Sequence, residues 1–166
     1  MPAVSSFDVT STVDLQEVDN AVNQARKEVA QRYDFKGSKA SIDFNKAEST
    51  LTLAAEDNMK INALWDVLQT RMIRRNVPVK NLKLGDIETA SGSSLRRVIT
   101  LQQGIPSDAA RDVIKFLKDQ KLKKVQASIQ GDQLRISSAS KDELQEAIRL
   151  LRGHDFGIAL QFGNYR

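Results

Sequence analysis

Cysteine is absent from this chain of 166 residues, so disulfides, thiolate nucleophiles and thiolate metal sites are excluded. Histidine occurs once, at His154, which is too few for a structural zinc site. His154 lies in a turn-like GHDFG segment with no Ser or Cys beside it to activate, so it reads as a loop or capping residue. Aromatic residues make up only 5% of the chain, so the apolar mass is aliphatic, and it comes in short runs. None approaches the roughly 18 apolar residues of a membrane helix. The opening MPAVSSFDV lacks a basic segment followed by an apolar stretch, so the expectation is a cytoplasmic chain with no secretory signal and no membrane association. Nucleophile elbow, HExxH, dinucleotide fingerprint and Walker loop are missing too. Acidic residues such as Asp14, Glu17, Asp57 and Glu143 fall mainly in helix caps and exteriors, so no paired-carboxylate site assembles. The chain is expected to be no enzyme and to carry no cofactor or metal.

Charge is present but not extreme, at +4. Its distribution along the chain is uneven. Residues 1–90 hold 12 Lys plus Arg against 13 Asp plus Glu, while residues 91–166 hold 13 against eight. The second half is where an anion is expected to be drawn.

An internal repeat organises the chain. LTLAAEDNMKINALWDVL at 51–68 lies over LRISSASKDELQEAIRLL at 134–151, with Leu51, Leu53, Ile61, Trp65 and Leu68 falling on Leu134, Ile136, Leu144, Ile148 and Leu151. LKLG at 82–85 answers LQFG at 160–163. Each unit reads strand, helix, hairpin, helix, strand. In the first, Phe7 and Val9 mark a strand, Asp14 with Glu17 opens a helix as a capping box, and Leu15, Val18, Val22, Ala25 and Val29 form its apolar stripe. Ala40, Ile42 and Phe44, then Leu51 and Leu53, alternate as a half-buried hairpin. Asp57 caps a second helix, and Val79 to Leu84 supplies a closing strand. The polar segment GDIETASGSS at 85–94 reads as a strand end and interdomain connection. In the second unit Leu95 to Leu101 is a strand, Ser107 caps a helix, Gly131 and Asp132 turn a hairpin, Ser140 with Glu143 opens the last helix, and Ile158, Leu160 and Phe162 close. The expected fold is α+β: two tandem ferredoxin-like βαββαβ sandwiches with antiparallel sheets, residues 1–90 and 91–166, made by duplication.

A sheet covered by helices on one side offers its other face to water or a ligand. In the second unit the outward set is Gln126, Ser128, Gln130, Arg135, Ser137 and Gln161, with no carboxylate; alone it reads most simply as a solvated face. Amides and guanidinium groups also suit base edges and phosphates. Around it the sequence places Arg96 and Arg97, Lys121, Lys123, Lys124 and Arg166. Arg97 shares the alternation of Leu95, Ile99 and Leu101, so part of its stem is expected against the sheet. In the first unit, Lys36 and Lys39 flank Gly37 and Ser38, a turn whose N–H groups suit an anion, although Gly37 reads first as a left-handed helix stop over Phe35. The aromatic platform of RNA-binding sheets is missing, which leaves Tyr33, Phe35 and Tyr165 to stack a base from an edge.

Ordered segments across the chain carry a family resemblance: SFDV at 6–9, EVDNAVNQARKE at 17–28, RYDFKGS at 32–38, RRVITLQQGI at 96–105, KLKKVQASIQGDQLRIS at 121–137, DELQEAI at 142–148 and the terminal LQFGNYR. The sequence resembles the YajQ-like bacterial proteins. The resemblance implies two ferredoxin-like domains, with room for the first strands, about 4–10 and 95–102, to be exchanged between them. It also implies nucleotide binding, with cyclic di-GMP proposed for some members and RNA or mononucleotides for others, and it brings no catalytic residue. Arg71 and Arg75 have the R-x-x-x-R spacing of PilZ-type cyclic di-GMP modules, but the D-x-S-x-x-G half is missing, so they read as a cationic helix end.

The leading expectation is a non-enzymatic nucleotide-binding protein, a cyclic di-GMP effector among the options, with cyclic di-GMP, GTP or ATP held between domains. Arg97, Lys121, Lys123, Arg135 and Arg166 would neutralise phosphates, Gln126, Gln130 and Ser137 would read a base, and Lys36, Gly37 and Ser38 would close the crevice. The alternative is an RNA-binding regulatory protein, for single-stranded RNA or tRNA, or one whose partner is a protein. A nucleotide hydrolase using Asp34 or Asp132 ranks last.

Overall fold

The computed structural model describes residues 3–166. Twelve regular elements follow in chain order among them: β1 (Ser5–Thr10), α1 (Leu15–Gln31), β2 (Ser41–Asn45), β3 (Thr50–Ala55), α2 (Asn58–Arg74), β4 (Leu82–Thr89), β5 (Leu95–Leu101), α3 (Ser107–Asp119), β6 (Val125–Gln130), β7 (Gln133–Ser138), α4 (Lys141–Arg152) and β8 (Gln161–Gly163). They build two four-stranded antiparallel sheets, ordered β2-β3-β5-β4 and β6-β7-β1-β8. The fold is α+β, with ferredoxin-like strand order in each sheet.

Local chemistry sets the helix ends. Asp14 accepts from the N–H groups of Gln16 and Glu17 and starts α1, Asp57 accepts from that of Lys60 and starts α2, and Ser140 accepts from that of Glu143 and starts α4. Each side chain satisfies donors that have no partner within the helix. The third helix differs from expectation. Pro106 occupies its cap position without a side-chain bond and Ser107 is its first residue. Arg71 and Arg74 lie in the last turn of α2, where positive charge complements the helix dipole. Arg71 and Arg75 are also tied to α1, through Glu28 at 2.8 Å and Glu17 at 2.9 Å.

Two compact units form. One is continuous, Val13–Gln102; the other is split, Met1–Thr12 with Gln103–Arg166. In the continuous unit β5 is a central strand: Leu51 faces Ile99 and Leu53 faces Arg97 on one side, and Leu82 faces Leu101 on the other. Its core gathers Leu51, Leu53, Ile61, Leu64, Leu68, Met72 and Ile99 under α1 and α2. In the split unit β1 takes the central place, with Phe7 opposite Ile136 and Val9 between Leu134 and Phe162. Its core joins Phe7 and Val9 to Val113, Leu117, Leu134, Ile136, Ala147, Ile148 and Leu151. A cut at residue 90 therefore removes from each sheet one of its two central strands.

The segment 85–94 is not a connection between units. It completes β4, turns through Ser91–Ser93 and enters β5 as a hairpin inside the continuous unit. At Gly85 the two strands come so close that a β-carbon would lie 2.9 Å from the Val98 carbonyl oxygen, and the register shifts between Leu84 and Ile87. Small, polar composition here serves a bulged strand and a tight turn.

Residues 13–102 expressed alone are expected to unfold in one cooperative transition in urea, followed by circular dichroism, whereas residues 1–90, which lack β5, are expected to show none. In the full chain Ile99→Ala should cost about 3 kcal/mol, since it empties a fully buried site in a central strand.

Candidate phosphate groove and open sheet face

The turn after α1 is fixed residue by residue. Phe35 is buried in the short 3-10 turn Tyr33–Phe35. The Arg32 guanidinium and the Lys60 ammonium each lie 5.4 Å from the centre of its ring. Arg32 also clamps Asp34, with contacts of 2.9 and 2.7 Å, and holds that carboxyl below its ordinary range. The Lys60 ammonium donates to the Asp34 carbonyl. Gly37 then adopts a φ of +75°, a left-handed conformation that other residues adopt only under strain, and so reverses the chain toward β2.

An anion already sits in this turn, and it comes from the same chain. The Ser38 hydroxyl donates to Glu56 Oε1 at 2.7 Å and the Lys39 N–H donates to Oε2 at 3.1 Å, so both carboxylate oxygens are held. Ser38 Oγ in turn accepts from the Ala40 N–H at 3.1 Å. The Ser38 hydroxyl holds the Glu56 carboxyl below the usual carboxylate range; burial opposes this, and the Lys39 N–H and Lys60 charge assist.

Around that carboxylate opens a groove of about 630 Å³, walled by residues 36–39, 54–56 and 91–94 and by Lys60. Three ammonium groups (Lys36, Lys39, Lys60), four hydroxyls (Ser38, Ser91, Ser93, Ser94) and one carboxylate, Glu56, line it. Gly92 and Ser93 have φ of 70° and 62°, so the β4–β5 turn is a second left-handed bend in the wall. Such bends can turn successive N–H groups toward an anion, but in the Gly37 bend, contrary to expectation, the Lys36 and Ser38 N–H groups are bonded to the Tyr33 and Phe35 carbonyls, both at 3.0 Å. A second pocket of about 610 Å³ shares Lys36, Gly37 and Ser38. It is lined by apolar Val29, Ala30, Phe35, Ile42 and Leu64, with Arg26, Ser41 and Asp43 as polar groups. Arg26 donates from Nε and Nη2 to the Ile42 carbonyl, at 2.9 and 2.6 Å, and covers part of the free edge of β2.

The open face of the split unit has a different character. Gln126 lies opposite Ser137, which lies opposite Ser6; Ser128 lies opposite Arg135, which lies opposite Asp8. Contrary to expectation the face contains a carboxylate, because β1 carries Asp8 into it. Arg135 Nε meets Asp8 Oδ1 at 3.1 Å and Asn164 donates to Oδ2 at 2.7 Å. Asn164 above all, and then Arg135, lowers the Asp8 carboxyl below its ordinary value. Arg166 exchanges two backbone hydrogen bonds with Ser6. Gln161 is engaged with Thr10 and Thr12.

The family described as nucleotide-binding protein YajQ-like matches residues 5–166. The chain belongs to this family. A nucleotide-binding protein of Bdellovibrio bacteriovorus is 52% identical over 161 residues, covering 97% of this chain and 98% of that one. One of Geotalea uraniireducens is 50% identical over 161 residues, with the same coverage, and one of Solibacter usitatus is 49% identical over 162 residues, covering 98% and 97%.

In this YajQ-like chain the residues singled out from sequence fall in two places. Lys36, Gly37 and Ser38 line the groove of the continuous unit. Gln126, Gln130, Arg135 and Ser137 share one sheet face of the split unit; Lys121 and Lys123 are exposed between α3 and β6, and Arg166, past the end of β8, bonds to Ser6 of β1 through its backbone. Arg96 and Arg97 do not border that face. They belong to β5 and hence to the other sheet, and Arg97 lies on its covered side with a buried Nε that has no hydrogen-bond partner. The charge asymmetry dissolves with this exchange: the split unit holds 11 Lys plus Arg against nine Asp plus Glu, the continuous unit 14 against 12. Lys39, expected beside this turn, lines the groove as well; Lys60, Glu56 and residues 91–94 escaped the sequence reading. The small, polar, glycine-containing composition of 91–94 fits an anion-binding turn as well as a linker. Phe35, offered as a stacking ring, is only 5% exposed.

Asp8→Asn is expected to cost about 2 kcal/mol near neutral pH, because a charge-assisted pair is lost and Arg135 is left unpaired. Since Asn164 and Arg135 hold the folded carboxyl below the ordinary aspartate value, its stabilisation is complete above that ordinary value and is lost as pH falls through the lower folded pKa. Denaturant titrations down to acid pH should show the wild type losing more stability than the variant.

Proposed function

We propose that this chain is a non-enzymatic nucleotide-binding protein whose ligand spans the 36–38 turn of the continuous unit. Phosphate would lie in the lysine- and serine-lined groove, on Lys36, Lys39, Lys60, the Ser38 hydroxyl and the 91–94 bend; the N–H groups of Lys36 and Ser38 already serve the Tyr33 and Phe35 carbonyls. The base would lie against the apolar pocket. The carrying observation is that one turn borders both an apolar pocket and a cationic, hydroxyl-rich groove, the two chemistries a nucleotide joins. Each volume is in the range of small-molecule sites. The family name and those of its relatives support the ligand class. Among the described residues no group of three or more His, Cys, Asp or Glu is placed to hold a metal ion. Relative to the sequence reading, emphasis moves from Arg135 and Arg97 to the lysines around Ser38, because Arg135 is already ion-paired and Arg97 faces the helix side. Cyclic di-GMP, GTP and ATP are the ligands to compare, and effector action of a cyclic di-GMP complex belongs to the same reading.

A second reading, RNA, draws on Tyr33, which is 88% exposed beside the same turn. An exposed ring next to a cationic groove can stack a base of a single strand.

Calorimetry with the three nucleotides is expected to give one saturable site whose affinity falls with salt. Lys36→Glu should weaken it about tenfold or more, roughly 1.4 kcal/mol, while Gln126→Ala and Gln130→Ala should change it less than about twofold. The opposite ranking would move the site to the split unit's sheet. Filter binding to single-stranded RNA tests the second reading, which requires a steeper salt dependence and a footprint of several nucleotides.

A further inference from the structure

We infer that Glu56 is a built-in competitor for the phosphate position, so that ligand binding requires its carboxylate to leave Ser38 and Lys39. The inference rests on the groove reading above and adds its regulation. The geometry carries it. Both Glu56 oxygens are engaged, one by a hydroxyl at 2.7 Å and one by a backbone N–H at 3.1 Å, which are the kinds of donor that hold two oxygens of a phosphate. Glu56 is the one carboxylate among the groove's lining residues, surrounded by Lys36, Lys39 and Lys60. It is exposed and directly precedes the Asp57 cap of α2. Its side chain can swing into solvent without disturbing the helix start, because Asp57 provides that cap by itself. An arriving phosphate meets two obstacles while Glu56 stays: its donors are occupied, and a like charge stands within a few ångströms. Both vanish when the carboxylate rotates away, and the three lysines then face the ligand alone.

The test uses the full chain, inorganic pyrophosphate as the probe, and the nucleotide giving the strongest heat. Glu56→Gln, which keeps the size of the side chain and removes the charge, is expected to bind pyrophosphate about fivefold to tenfold more tightly than the wild type, the size expected for one like charge removed at this range in a solvated groove. Adding Ser38→Ala to Glu56→Gln should cancel the gain. In the wild type, a carbon-13 titration of the Glu56 carboxyl should move toward the ordinary glutamate value when pyrophosphate is present, since Ser38 is then taken from it; this second measurement needs no variant to fold. If the wild type binds nucleotide and Lys36→Glu weakens it, while Glu56→Gln binds no tighter and the Glu56 titration does not move, the competitor role is wrong and the groove reading stands. If neither wild type nor Glu56→Gln binds pyrophosphate or nucleotide, both fall.

Discussion

A strand in the middle of a sheet must find hydrogen-bonding partners on both of its edges, and in this chain β1 and β5 each meet that demand far from their immediate sequence neighbours or across a tight turn. The first strand pairs with β7 and β8, more than a hundred residues away. The fifth pairs with β4 through the local Ser91–Ser93 turn and with β3 on its other side. Everything else depends on these two insertions. Ile99 and Leu101 enter one core, Phe7 and Val9 the other, and without them each sheet would lose a column of its apolar face.

The same insertions redistribute charge. Moving Asp8 into the split unit gives Arg135 an internal partner, and moving Arg96 and Arg97 into the continuous unit removes two cations from the split one. An electropositive half, visible in the linear chain, becomes two units of equal net charge. What remains concentrated is local: three lysines, four serines and two left-handed bends around one turn. Short-range geometry, not net charge, is what distinguishes this groove, in keeping with how steeply screening weakens the field of distant surface charges.

The groove is pre-organised from beneath. Phe35 anchors the turn in the core, Arg32 and Lys60 lie against its ring, and Gly37 supplies the reversal. Donors held this way pay less ordering entropy when they meet an anion. Glu56 already satisfies two such donors, the Ser38 hydroxyl and the Lys39 N–H, within the folded chain.

Much was legible in the sequence because it is written locally. Asp14, Asp57 and Ser140 marked helix starts, alternation at 51–55 and 134–138 marked which side chains face a core, and the repeat marked two like units. Periodicity reports which face of an element is apolar, since that depends only on side chains a few residues apart. It does not report which strand lies at an edge, because backbone hydrogen bonds are the same for every residue type. So only the tertiary structure decided where β1 and β5 insert, that 85–94 is a hairpin, that Asp8 holds Arg135, and that Glu56, 18 residues beyond Ser38, occupies its turn.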